Sequence, residues 1–149
     1  MEAAEAELTG FIEKFAPEMQ ELIRGCRAKV QALFSDAVQM VYDNYNFLAI
    51  GFGPTTRPSD AVLSLAAHRR GVNLCFLQRW PELPDPGHLL RGSGTVVRTV
   101  ALQAPDDLDR PAVRALIEAA SGLAAVPVDA SDGAQLVIKS VSAKQRPRR

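Results

Sequence analysis

The feature that most constrains the fold is a change in hydrophobic periodicity after Ser35. From there to Gln103, apolar residues recur in segments of strand length that end at turn residues, as in VQMVYDNYN, FLAIGFG, AVLSLAAHR, GVNLCFLQ and TVVRTVALQ. Short connections such as Arg69-Arg70-Gly71 lack the dozen or more residues that a parallel crossover needs, and Gly53-Pro54 and Arg57-Pro58 mark a longer loop between the second and third strands. The sequence therefore predicts an antiparallel sheet of about five strands, and AQLVIKSV can add a last one.

Helical periodicity flanks this region on both sides. The N-terminal stripe consists of Leu8, Phe11, Ile12 and Phe15. A second helix is predicted over 17–35, with Pro17 in its first turn. A third is predicted over 109–121, with Asp109 as its N-cap and Gly122 at its end. We therefore expect a single α+β domain, an antiparallel sheet flanked by N-terminal and C-terminal helices. The expected shared core is Leu22, Ile23, Cys26, Val30, Phe76, Val100, Leu116 and Ile117.

Length and composition limit the class of protein. A chain of 149 residues suits one domain, and its 17 basic residues equal its 17 acidic residues, so total charge favours neither nucleic-acid nor membrane binding. The N-terminus lacks the features of a secretory leader, and no apolar run approaches the length that spans a bilayer. Cys26 and Cys75 lack the clustered partners of a zinc site. We expect a cytoplasmic protein with reduced, buried thiols and no membrane partner.

Charge is divided between the two ends of the chain. Residues 1–25 contain six glutamates against two basic residues, whereas residues 137–149 contain five basic residues and no acid. We therefore divide the chain into a domain, 1–136, and a part, 137–149, that holds the final strand and a basic tail. The tail has no apolar period and is expected to be mobile. Three interpretations stay open: a solvated end, which the sequence favours, a basic arm for nucleic acid or an acidic partner, and a fold-back on the acidic first helix. Nucleic-acid binding is not expected elsewhere.

The stretch LPDPGHLLRGSG, residues 83–94, combines turn residues with charge. In the structural interpretation, Asp85 caps a single helical turn and Gly92 takes the left-handed conformation that ends it. In the functional interpretation, residues 92–94 expose backbone N–H groups to an anion, and Arg91 and Arg98 supply positive charge. The segment lacks the spacing of a phosphate loop and the context of a dinucleotide-binding turn. The sequence therefore favours the plain turn.

The order of several segments resembles one known family. The segments are VYDNYNFLAIGFGPTTRPSDAVLSLAAHRRGVNLCFLQ, LPDPGHLLRGSGTVVRTVAL and DLDRPAVRALIEAA, and the similarity extends from Leu8 to Ala120. In this order they are similar to the YdhG-like family of small bacterial domains of unknown function. The resemblance implies an α+β domain with an antiparallel sheet flanked by helices, and it implies no reaction.

One branch of that family is linked to frataxin-like iron delivery, so the resemblance also implies an alternative function, an intracellular iron-binding metallochaperone. Helical carboxylates would bind the metal, and the candidates are Glu13, Glu18 and Glu21. A hard cation needs several oxygen ligands at one point, whereas the N-terminal glutamates are interleaved with apolar positions on two helices. A solvated acidic surface is the favoured interpretation. The sequence contains no cofactor motif, and iron is an expected ligand only under this alternative.

Catalytic residues are not recognisable, because neither histidine has a local partner for proton transfer and neither cysteine has an adjacent histidine. Candidates for binding an anion lie at strand ends or in the following loop, and they are His68, Arg69, Arg70, Arg91, Ser93 and Arg98. Hairpin order can bring several of them to one edge of the sheet. The competing interpretation is solvation or surface pairing with Asp60, Glu82 and Asp85. The sequence predicts a non-enzymatic binding module for a small anionic ligand or a protein partner.

Overall fold

The computed structural model describes residues 2–93, 97–128 and 133–149. Its helices are α1 (Glu2–Ile12), α2 (Pro17–Leu33) and α3 (Pro111–Leu123). Its strands are β1 (Val38–Asp43), β2 (Leu48–Gly53), β3 (Leu63–His68), β4 (Gly71–Phe76), β5 (Arg98–Leu102) and β6 (Gln135–Val141). Over these ranges, no helix combines the length and the apolar character that crossing a membrane requires.

The strands form one sheet in the order β5-β4-β3-β2-β1-β6. All neighbouring pairs are antiparallel except β1 and β6, which are parallel. The predicted α+β class is confirmed. Two details are corrected, because the sheet has six strands and is mixed rather than entirely antiparallel. The physical reason is the long connection through α3, which returns the chain to the far edge with β6 pointing in the direction of β5.

The helices follow the predicted periodicity and differ from it at their ends. α2 ends slightly earlier than predicted, and α3 begins and ends slightly later, so that Gly122 lies within its last turn. Asp109 does not cap α3, because the N-cap is Arg110 and no side chain caps the helix. Instead, the Asp109 carboxylate forms ion pairs with Lys29 and, at 2.9 Å, with Arg114. The carboxylate therefore links α2 to α3 rather than starting α3.

The predicted core is confirmed. All three helices pack with the sheet around one apolar cluster, and the predicted members that are buried there are Ile23, Cys26, Val30, Phe76, Val100, Leu116 and Ile117. Leu22 is partly buried against the same cluster. Burial raises the pKa of the Cys26 thiol to about 11, and the negative charge of Asp107 acts in the same direction. Cys26 is therefore a packed thiol, as the helical stripe predicts.

The segment from residue 83 to 93 contains a turn and not the predicted helical turn. The His88 N–H donates to the Asp85 carbonyl at 3.1 Å, and His88 has a φ of +52°. This left-handed residue directs the chain away from a helix. The Asp85 carboxylate still caps the turn, since it accepts the backbone N–H groups of Leu89 at 2.8 Å and Leu90 at 2.9 Å. The N–H nest considered for residues 92–94 extends outside the described residues.

Candidate functional site

One end of the sheet gathers segments that are distant in the sequence. The strand register pairs Asp43, the last residue of β1, with Leu48 of β2 and with Val141 of β6. The turn between β3 and β4 lies at the same end, because Leu48 also pairs with Ala67. We call this the tail end of the sheet, and it collects the β1–β2 turn (44–47), the β3–β4 turn (69–70) and the C-terminal tail (142–149).

The C-terminal tail packs across this end. The Arg146 N–H donates to the Tyr45 carbonyl at 2.9 Å, and the Arg149 guanidinium donates to the Glu13 carbonyl at 2.9 Å. A segment that was expected to be mobile thus has defined contacts with the β1–β2 turn and with the chain after α1. Of the three interpretations of the tail, the fold-back is nearest to this arrangement. The contact to Glu13 uses its backbone oxygen, however, and not its carboxylate.

A buried carboxylate anchors the tail. Asp43 is fully buried and contacts Lys14 Nζ at 2.7 Å, Arg148 Nη1 at 2.9 Å and Gln145 Nε2 at 3.0 Å. The Arg148 side chain is 2% exposed, and its guanidinium lies 5.2 Å from the centre of the Phe15 ring. Burial raises the pKa of Asp43, but the hydrogen bonds from Lys14 and Gln145 and the charges of Arg148 and Lys14 outweigh it and hold the pKa below its ordinary value. Asp43 is therefore ionised at neutral pH.

Beside this anchor lies a pocket of about 590 Å³, which we call the basic pocket. It is lined by Asn46, Phe47, His68, Arg69, Arg70, Arg146 and Pro147. Arg69 and Arg70 are exposed, and neither forms an ion pair or a side-chain hydrogen bond with any other described residue. The Arg146 guanidinium lies over the Tyr45 ring, 5.7 Å from its centre. Three guanidinium groups therefore border one pocket, and no carboxylate is among its described lining residues.

Two aromatic rings form part of the same wall. The Phe47 and His68 rings have centroids 5.5 Å apart and are tilted by 43°. Phe47 is half-buried, and His68 is exposed at the end of β3. His68 and Arg70 also border a second hollow of about 620 Å³, which Glu18 lines as well. The basic pocket is thus the more positive of the two hollows.

The other predicted ligand-binding residues lie at the opposite end of the sheet. Residues 68–70 precede β4, whereas Arg91, Ser93 and Arg98 follow it. Since β4 has six residues, its ends are about 17 Å apart. The Arg98 guanidinium lies 3.5 Å from the centre of the Trp80 ring. Hairpin order is expected to bring several of the six residues together, and it does so for His68, Arg69 and Arg70, whereas Arg91, Ser93 and Arg98 lie at the other end of β4.

The glutamates considered for iron do not form a common site. Glu13 follows α1, Glu18 and Glu21 lie in α2, and all three are exposed. Over the ranges that the structure describes, no group of three or more His, Cys, Asp or Glu side chains is placed to hold a metal ion. The structure therefore supplies no described ligand set for the iron alternative.

The predicted set of ligand-binding residues lacks four residues that line the pocket, which are Asn46, Phe47, Arg146 and Pro147. The alternation of Tyr42, Tyr45 and Phe47 is consistent with aromatic surface at a pocket, but such a pattern in a strand favours a half-buried core position. One signal could have indicated the position of the tail. Asp43 and the core residue Val41 lie on the same face of β1, so alternation places a carboxylate at a core position. A buried carboxylate needs a cationic partner, and the tail, which contains Lys144, Arg146, Arg148 and Arg149, can supply one.

Comparison with known proteins gives no match to a family model, to a curated protein or to a solved structure.

Proposed function

We propose that this chain is a non-enzymatic binding module that takes a small anionic ligand in the basic pocket. The observation that carries the proposal is the convergence of Arg69, Arg70 and Arg146 on one pocket, with the first two free of ion pairs in the described structure. Neighbouring guanidinium groups repel one another, and a bound anion relieves that repulsion. Arginine also suits phosphate and carboxylate groups, since its planar fork donates two parallel hydrogen bonds.

The size of the pocket favours a small molecule. Its volume of about 590 Å³ falls in the range of roughly 300–1,000 Å³ that small-molecule sites occupy. A nucleophile with its own base is not among the described lining residues, so the proposal includes binding and no reaction.

The proposal keeps the YdhG-like resemblance and a cytoplasmic location as expectations. A protein partner is the other occupant that the sequence allows, and a negatively charged partner segment would use the same guanidinium groups. Iron delivery stays a prediction of the family resemblance, and we do not extend the proposal to it.

Thermal unfolding with added ligand tests the proposal. Ribose 5-phosphate at one hundred times its dissociation constant should stabilise the folded state by about 2.7 kcal/mol and raise the midpoint by about 5–10 °C. The Arg69→Ala/Arg70→Ala double variant should lose this shift. Arg57→Ala is the matched control, since Arg57 is exposed in the β2–β3 connection at the opposite end of the sheet.

Two outcomes contradict the proposal. The first is an equal shift in the double variant and the wild type, because the anion would then bind elsewhere. The second is stabilisation by ferrous iron and none by any phosphate compound, which would favour the iron alternative.

A further inference from the structure

We infer that the anion bound in the basic pocket carries a planar aromatic ring, and that a nucleoside monophosphate is the class of ligand that fits. This inference rests on the proposed function, because it names the ligand of the same site. The lining of the pocket contains more groups than a simple anion requires. A single phosphate group needs the guanidinium groups alone, whereas the pocket also has an aromatic and apolar wall formed by Phe47, His68 and Pro147.

The ring pair is held in a defined position. Phe47 closes the β1–β2 turn, where its carbonyl accepts the Asn44 N–H at 2.9 Å, and His68 ends β3. The two residues are close because β2 and β3 are hydrogen-bonded neighbours whose ends coincide at this point. A tilted pair of rings 5.5 Å apart presents a surface on which a planar ligand ring can stack or meet an edge.

The charged groups occupy the remainder of the lining. Arg69 and Arg70 follow His68 directly in the β3–β4 turn, so the aromatic wall and the charged groups belong to adjacent positions of the chain. The Arg146 guanidinium lies 5.7 Å from the centre of the Tyr45 ring, so it already has a cation–π contact within the protein. The pocket thus has an aromatic wall and guanidinium groups that can bind an anion, the two features that a nucleotide would use.

A polar group completes the match. Asn46 lines the pocket next to Phe47, and its amide can both donate and accept hydrogen bonds. A base edge carries donors and acceptors in the same plane, and Asn pairs with such edges in other settings. A nucleic-acid strand would instead use a series of ring platforms along a groove. The described residues contain one aromatic ring pair, which favours a single nucleotide.

Calorimetry or NMR titration of the full chain with AMP and with ribose 5-phosphate tests the inference. AMP should bind at least tenfold more tightly than ribose 5-phosphate, a difference of about 1.4 kcal/mol. Phe47→Leu should abolish this preference for AMP over ribose 5-phosphate. The thermal unfolding midpoint of the variant without ligand shows whether it is folded. Phe34→Leu is the matched control, because Phe34 is half-buried beyond the end of α2 and does not line the basic pocket.

The outcomes separate the inference from the proposed function. Equal binding of AMP and ribose 5-phosphate refutes the aromatic ligand and keeps the anion site. Failure of both compounds, and of inorganic phosphate, refutes the site itself. A preference for AMP that survives Phe47→Leu overturns the role of the ring pair. An adenine hexanucleotide that binds tenfold more tightly than AMP overturns the choice of a single nucleotide in favour of a strand.

Discussion

Replacement of Asp43 by asparagine should detach the C-terminal tail and destabilise the fold. The substitution keeps the size of the side chain and removes the charge that pairs with Arg148 and Lys14. Arg148 then stays buried with backbone carbonyls as its remaining partners, chiefly that of Asn44 at 2.6 Å. Lys14 is 40% exposed and can turn to water, so its loss of a partner has a small cost.

The magnitude follows from the burial of the pair. Removal of one partner from a buried ion pair costs roughly 3–5 kcal/mol, because the other charge is left without compensation. Arg148 lies in the tail outside the strands, however, and detachment of residues 142–149 would return its side chain to water. Return of Arg148 to water limits the cost of the substitution, so we expect the free energy of unfolding to fall by about 3 kcal/mol, the lower end of the range. The unfolding midpoint should fall by roughly 6–12 °C.

Urea unfolding of wild type, Asp43→Asn and the control Asp106→Asn measures the effect. The control removes a carboxylate that is 89% exposed and should change stability little. The pKa of Asp43 is lower in the folded protein than in the unfolded chain. The contribution of Asp43 to the free energy of unfolding is therefore complete above about pH 5 and declines as the pH falls below about 4. Added salt should change this contribution little, since buried ion pairs are weakly screened. A loss below about 0.5 kcal/mol at pH 7 would refute the docked tail.

Two further predictions concern other parts of the chain. Asp85→Ala should lower the free energy of unfolding by about 0.5–2 kcal/mol, because the N–H groups of Leu89 and Leu90 lose their acceptor. Urea unfolding measures this, and a neutral result would show that the cap is dispensable. Cys26 and Cys75 should react with a thiol reagent at pH 8 only after unfolding, because burial raises the pKa of both thiols. Rapid labelling of the native protein would contradict their burial.

The helices and the core could be predicted because they depend on local periodicity. The stripe from Met19 to Val30 repeats at helical spacing, and a stripe of that kind has to be buried whatever it packs against. The antiparallel pairing of β1 with β2 and of β3 with β4 follows from two short turns, 44–47 and 69–70, which leave the chain little choice of neighbour.

The position of β6 could not be obtained in the same way. Its partner β1 lies almost one hundred residues away in the sequence, and a long helical connection allows either edge of the sheet. The start of α3 differs from the predicted start because of a contact with another helix. Asp109 has the chemistry of an N-cap, but its carboxylate pairs with Lys29 of α2, a contact that only the tertiary structure provides.

Three of the six predicted ligand-binding residues, His68, Arg69 and Arg70, lie together because they are consecutive at the turn between β3 and β4. Consecutive residues are always neighbours, whereas the position of Arg98 relative to residues 68–70 depends on the direction of the intervening strand β4. The hairpin alternates direction at every turn, so residues before and after β4 lie at opposite ends of the sheet. The same rule, applied strand by strand, would have separated the two groups from the sequence.

The basic pocket depends on the tail, and this dependence follows from one carboxylate. Arg146 and Pro147 are pocket residues only while the tail is docked, and Arg148, next to them, is the residue that Asp43 holds. A ligand that contacts Arg146 binds the docked state and not the detached one, so it must stabilise docking by mass action. The repulsion among Arg69, Arg70 and Arg146 opposes docking when the pocket is empty. The buried charge of Asp43 therefore offsets that repulsion and keeps the pocket assembled without a ligand.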